Sequence, residues 1–87
     1  MNIHFYKSFQ KKYKRRIKNH PKLVKKFNQR VATFSKNPND PILKNHQLSG
    51  IKKNTYSIAI TGDIRALYKI ENNEVYFFDI GTHNQVY

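Results

Sequence analysis

The sequence contains no cysteine and no tryptophan among its 87 residues, and it carries only five acidic side chains against seventeen lysines and arginines. Each absence closes a route. Without cysteine there is no disulfide, no thiolate zinc site and no cysteine nucleophile, which suits a reducing cytoplasm. No apolar run approaches the ~20 residues that cross a bilayer. The N-terminus also lacks the apolar stretch of a secretion signal. The expectation is a cytoplasmic protein with no membrane partner. Three glycines and three prolines leave no low-complexity linker, and no internal repeat is visible. A chain this short buries one modest core, so residues 1–87 read as a single domain.

The scarcity of acid is uneven. No acidic residue precedes Asp40, while residues 1–39 carry twelve lysines or arginines and residues 7–26 alone carry ten. The net charge is +12. Such a field draws in polyanions and speeds encounter with them. It points to nucleic acid or an acidic protein partner, with a solvated lysine-rich surface as the plainer reading.

The apolar residues that are present have a clear period. Residues 2–6 read as a short strand. Ser8 is placed to cap a helix whose apolar side is Phe9, Tyr13 and Ile17, at i, i+4 and i+8. His20-Pro21 ends that helix and starts a second one, striped by Leu23, Phe27, Val31 and Phe34 and ending near Lys36-Asn37. Residues 38–50 read as loop, with Leu43 and Leu48 anchoring it to the core. From Lys53 the period falls to two. Tyr56, Ile58 and Ile60 alternate with Ser57, Ala59 and Thr61. After a Gly62-Asp63 turn, Ala66, Tyr68 and Ile70 alternate with Arg65, Leu67 and Lys69. Glu71-Asn72-Asn73 turns into a third strand, Glu74 to Ile80. The predicted fold is a two-layer α+β structure of order β-α-α-β-β-β, an antiparallel meander packed against a helical hairpin.

Three stretches then stand out: NHQLSG (45–50), TGDIRALYKI (61–70) and DIGTHNQVY (79–87). In this order, behind a short strand and a basic helical hairpin, they resemble the RelE/ParE toxin superfamily of type II toxin–antitoxin systems, and most of all its RelE and YafQ branches. The resemblance implies a RelE-like fold and a metal-free, cofactor-free endoribonuclease that cuts mRNA, with ribosome dependence. It also implies a cognate antitoxin, acidic and partly disordered when free. RNA cleavage by a ribose 2′-hydroxyl needs a proton acceptor, a cation at the phosphate and help for the leaving 5′-oxygen. Histidine suits proton transfer near neutrality, and arginine binds phosphate with a permanent charge.

On that basis the candidate catalytic residues are His83 in the G-T-H motif, Arg65 in G-D-x-R, Tyr87, His46 and Asp63. Gly81 is expected to turn the chain and bring His83 and Tyr87 beside Arg65. The candidate RNA- or ribosome-binding residues are Lys11, Lys12, Lys14, Arg15, Arg16, Lys18, Lys52 and Lys53. The plainer readings are an Arg65–Asp79 ion pair, a turn role for Asp63, exposed loop histidines and a tail pinned by Tyr87. Three positions depart from the family pattern. Ser57 and Ala59 stand where RelE-like members carry basic residues or a histidine, and Asp79 stands where YafQ carries arginine. Two rivals remain at this point: a ParE-like poison of DNA gyrase, and an inactive relative that only binds RNA.

Overall fold

A computed structural model describes residues 2–50 and 54–87, so Lys52 and Lys53 lie outside the described residues. Strand β1 (Ile3–Phe5) leads directly into helix α1 (Lys7–Arg16), followed by helix α2 (Pro21–Lys36). A 3-10 turn (Pro41–Leu43) then precedes strands β2 (His46–Gln47), β3 (Thr55–Ala59), β4 (Ile64–Glu71) and β5 (Glu74–Thr82), and a short helix α3 (His83–Val86). The expected hairpin and meander are both present. Three features go beyond the expectation: β2, which is too short to show a period, the 3-10 turn, and α3.

The sheet order is β1-β5-β4-β3-β2. All neighbours are antiparallel except β1, which runs parallel to β5 with Phe5 opposite Phe77. Ser8 does not cap α1. Tyr6 takes the cap position without a side-chain bond, because its backbone N–H is still donating to Phe77 O at 3.0 Å. The helix therefore starts straight off the strand ladder, one residue before Ser8. Pro21 occupies the first turn of α2 as expected. Between β4 and β5, Asn72 and Asn73 adopt φ of 53° and 65°, the left-handed pair that a two-residue hairpin requires and asparagine tolerates.

One face of the sheet packs on the hairpin. Phe9, Ile17, Phe27, Phe34, Leu43, Ile58, Ile60, Ile64, Ala66, Tyr68, Val75, Phe77 and Ile80 form one buried cluster. Phe77 stands at its centre, with ring centroids 5.6 Å from Phe5, 6.0 Å from Phe9, 5.7 Å from Phe34 and 5.3 Å from Tyr68. Leu43 is fully buried and Leu48 half-buried, the latter with its N–H bonded to Thr55 O at 2.7 Å. Leu67 and Val86 are also buried but stand outside this cluster, because they belong to the opposite face, where α3 folds back against β4 and β5. Among the described residues no helix is long and apolar enough to cross a membrane.

Candidate active site

Cross-strand partners share a face of a sheet, so the register places the candidate residues. His46 pairs with Ser57, Ser57 with Leu67, and Leu67 with Asp79. These four form one row across the face away from the hairpin. The next row is Ala59, Arg65 and Gly81. Arg65 therefore lies on the candidate face two residues along β4 from Leu67, as its period predicts.

Asp79 reaches this face through an irregularity. Tyr68 pairs with Phe77 and Leu67 with Asp79, which leaves Phe78 as an extra residue in β5. Strict alternation from Phe77 would aim Asp79 into the aromatic core. The bulge shifts the parity by one and delivers it to the opposite face. There Asp79 does not bind Arg65. Its Oδ1 lies 3.2 Å from Lys12 Nζ and 3.4 Å from Arg16 Nη1, and it accepts from Ile80 N at 2.8 Å. Arg16 Nη1 also donates to Ile80 O at 2.8 Å. The ladder with β1 ends at Phe77, so Arg16 supplies a donor to a stretch of β5 that β1 no longer pairs.

Gly81 remains extended inside β5, and the turn comes afterwards at Thr82. The glycine is needed for a different reason than turning. A Cβ there would stand 2.5 Å from Gln85 Oε1 and 2.9 Å from Arg16 Nη1. Thr82 and Gln85 close a capping box: Thr82 N donates to Gln85 Oε1 at 2.8 Å and Gln85 N to Thr82 Oγ1 at 3.3 Å. This reciprocal pair sets the direction in which α3 leaves the strand.

α3 then presents its ends to the face. His83 opens it, exposed, with its ring 4.4 Å from that of Tyr87 and edge-on to it. The Tyr87 hydroxyl donates to Ser57 Oγ at 2.6 Å. Ser57 is fully buried, so this bond holds the C-terminal aromatic across β4 and down onto β3. His46 sits next to Ser57 in the row. Its Nδ1 is 3.0 Å from Lys44 O. A carbonyl only accepts, so the proton of a neutral ring belongs on Nδ1, and Nε2 is left as the acceptor.

The structure thus gathers His46, Arg65, His83 and Tyr87 on one face. Asp63 stays apart in the exposed β3–β4 turn, which is closed by Thr61: its Oγ1 accepts from Asp63 N at 3.1 Å and Ile64 N at 2.9 Å. Of the basic residues on α1 and just after it, Lys12 and Arg16 are engaged with Asp79, while Lys11, Lys14, Arg15 and Lys18 are exposed. Among the described residues no three His, Asp or Glu side chains gather in a metal-ligating group. The residue that sequence reasoning undervalued is Ser57. It entered as a lost cation, and no local signal marks it as the partner of a residue thirty positions away.

A helical hairpin on one face of a five-stranded sheet, with a short helix folded back on the other, is the fold of the RelE/ParE-type toxins. Similar solved structures include YafQ from E. coli BL21(DE3), at 23% identity and TM-score 0.83 over 99% of this chain and 97% of that one. The E. coli DinJ-YafQ complex matches at 22% identity and TM-score 0.73 over 99% and 97%. The heterotetrameric YoeB-YefM toxin-antitoxin complex from Staphylococcus aureus matches at 26% identity and TM-score 0.74 over 95% and 97%. Curated protein sequences contain no match. Residues 1–87 match the sequence model of the bacterial toxin of type II toxin-antitoxin systems, YafQ. The chain belongs to the YafQ family of toxins.

Proposed function

We propose that this toxin is an endoribonuclease that cleaves mRNA at the ribosome and is held inactive by a cognate antitoxin. The observation that carries the reading is the tie between Tyr87 and Ser57, with His83 on the Tyr87 ring, on the sheet face that also bears Arg65 and His46. A nucleotide laid on this face meets an aromatic ring for its base and a guanidinium for its phosphate. In the reaction the ribose 2′-oxygen attacks the neighbouring phosphorus and the bond to the 5′-oxygen breaks. The proton leaving the 2′-hydroxyl and the proton gained by the 5′-oxygen pass through His46 and His83. Arg65 stabilises the extra negative charge on the phosphorane. Ser57 is a positioning residue that acts through Tyr87. Asp63 is the outlying member of the set, at the turn beside Arg65.

Lys11, Lys14, Arg15 and Lys18 supply sequence-independent attraction to ribosomal RNA, with Lys52 and Lys53 assigned the same role from sequence alone. Lys12 and Arg16 contribute more to the site's framework, through Asp79, than to RNA. The antitoxin is supported by the complexes of the related YafQ and YoeB toxins with DinJ and YefM and by the charge of +12, which favours an acidic partner.

Primer extension on cellular mRNA after induction tests the reading. The wild type is expected to give cuts within coding regions, and Arg65→Ala and His83→Ala to abolish them and relieve growth arrest. Full arrest by the double variant at equal soluble protein would refute the site. Intact mRNA with damaged DNA would refute the nuclease.

A further inference from the structure

We propose that Lys26, Arg30 and Lys44 join Arg65 in a second phosphate-binding cleft, which holds the RNA backbone next to the scissile phosphate. The proposal rests on the nuclease reading above and names a part of the substrate path outside the site already described. The cleft has a volume of about 370 Å³ and lies at the β3–β4 end of the sheet, walled by these four cations together with Ala59 and Thr61. None of its described lining residues is acidic. The cations come from separate elements: Lys26 and Arg30 from α2, Lys44 from the end of the 3-10 turn, and Arg65 from β4.

Three observations set this cleft apart from an ordinary solvated basic surface. First, the ion pairs of the described residues are all elsewhere: on His4, Lys12, Arg16 and Lys69. Four converging cations without a carboxylate repel one another and lower their energy by taking an anion. Lys26 and Arg30 are also one helical turn apart, where like charges oppose the helix. Second, Arg30 Nε is buried with no hydrogen-bond partner among the described residues. A buried donor left unpaired is costly and is usually met by a ligand or water. Third, Lys44 holds a left-handed backbone at φ 47°, a conformation that non-glycine residues adopt at some cost and that clusters at ligand sites.

Arg65 decides the class of anion. It lines the cleft and also stands on the candidate face, two residues along β4 from the row of Ser57 and Leu67, about 7 Å by the rise of a strand. An extended RNA strand crossing Tyr87 and Arg65 therefore continues into the cleft with its next phosphate. The selectivity of such contacts is for backbone, not base.

The test uses the full chain and a fluorescein-labelled single strand of about 12 nucleotides with 2′-O-methyl riboses, which cannot be cleaved. Binding is followed by anisotropy across a salt series. Lys26→Gln/Arg30→Gln/Lys44→Gln is compared with Lys22→Gln/Lys25→Gln/Lys36→Gln, which removes the same charge from exposed positions of α2 outside the cleft. The cleft variant is expected to bind at least about tenfold more weakly, with a salt slope shallower by about two, since each lost contact to a single strand removes ~0.7. The control is expected to lose less than about threefold. Lys26→Gln/Lys44→Gln, at two exposed residues, repeats the measurement without disturbing buried atoms and is expected to keep most of the loss. Equal losses in cleft and control variants would reduce the effect to net charge and overturn the proposal. Unchanged RNA binding with lost binding of poly-glutamate would assign the cleft to an acidic protein instead, and equally overturn it. Because the probe cannot be cut, normal binding by the cleft variants refutes the cleft alone. Failure of the wild type to bind also overturns the cleft proposal, while the nuclease reading, which is set at the ribosome, is decided separately by the primer extension above.

Discussion

The two faces of the sheet are built on opposite terms. The face against the hairpin is apolar and dense with rings, and its polar exception, the Tyr68 hydroxyl, donates to Asn45 Oδ1 at 2.8 Å. The other face buries Ser57 and Asp79 and presents His46 and His83 to solvent. Burial drives the first face. The second is held by directional bonds, Tyr87 to Ser57 and Arg16 and Lys12 to Asp79, and by the short helix that covers Leu67. Stability and the proposed chemistry are thus assigned to different faces, and substitutions on the two sides should separate them.

The largest effect is expected at the centre of the apolar face. Phe77→Ala removes a fully buried ring and should cost about 3–5 kcal/mol, read as a fall in the midpoint of urea unfolding. Arg65→Ala, on the opposite face, should leave that midpoint nearly unchanged while lowering cleavage about 10²–10³-fold, the usual cost of losing a charge-stabilising donor. A matching loss of stability in Arg65→Ala would erase the contrast between the faces.

Arg16→Met keeps much of the stem and removes the guanidinium that serves Ile80 O and Asp79. Leaving those acceptors short should cost about 1–3 kcal/mol. It should also loosen α3, seen as faster amide exchange at Gln85 and Tyr87. Tyr87→Phe keeps the ring and deletes one bond, to Ser57 Oγ. Its expected cost is about 1 kcal/mol, with a larger effect on cleavage than on stability. Ser57→Ala should reproduce the activity loss if the bond acts by positioning the ring, and fail to do so if the Tyr87 hydroxyl itself contacts RNA.

The smallest effect concerns pH and belongs to the apolar face. Burial raises the pKa of Tyr68 above the ordinary tyrosine value. A folded-state pKa above the unfolded one means stability is fully present below the unfolded pKa and is lost as pH rises through the folded one. Unfolding free energy should therefore fall in the alkaline range, and Tyr68→Phe should flatten that fall. An identical alkaline slope in the variant would remove Tyr68 as its cause.

Read along the chain, local chemistry settles a good deal. The shift of apolar period from four to two separates hairpin from meander, Pro21 marks the start of α2, and Asn72-Asn73 marks the last hairpin turn. These signals are legible because each depends on neighbours within a few positions. The alternation along β4 likewise assigns Arg65 to the face opposite Ala66 and Tyr68. A local signal that misleads is Ser8, whose capping chemistry loses to the strand ladder that holds Tyr6.

Long-range pairing lies beyond that reach. Nothing near β1 states that it will lie parallel to β5, and nothing in a two-residue strand announces that His46 will face Ser57. A bulge of one residue at Phe78 moves Asp79 from the core to the opposite face, because a slip of one position in a strand exchanges its two sides. Gly81 reads as a turn residue from sequence, yet its lack of a side chain serves the approach of Arg16 and Gln85. Composition and periodicity are therefore enough to specify the layers and the charge of this toxin. Which polar groups meet is decided by register between segments distant in the chain, where a single residue of offset determines whether a carboxylate, a serine or an arginine enters the core or the site.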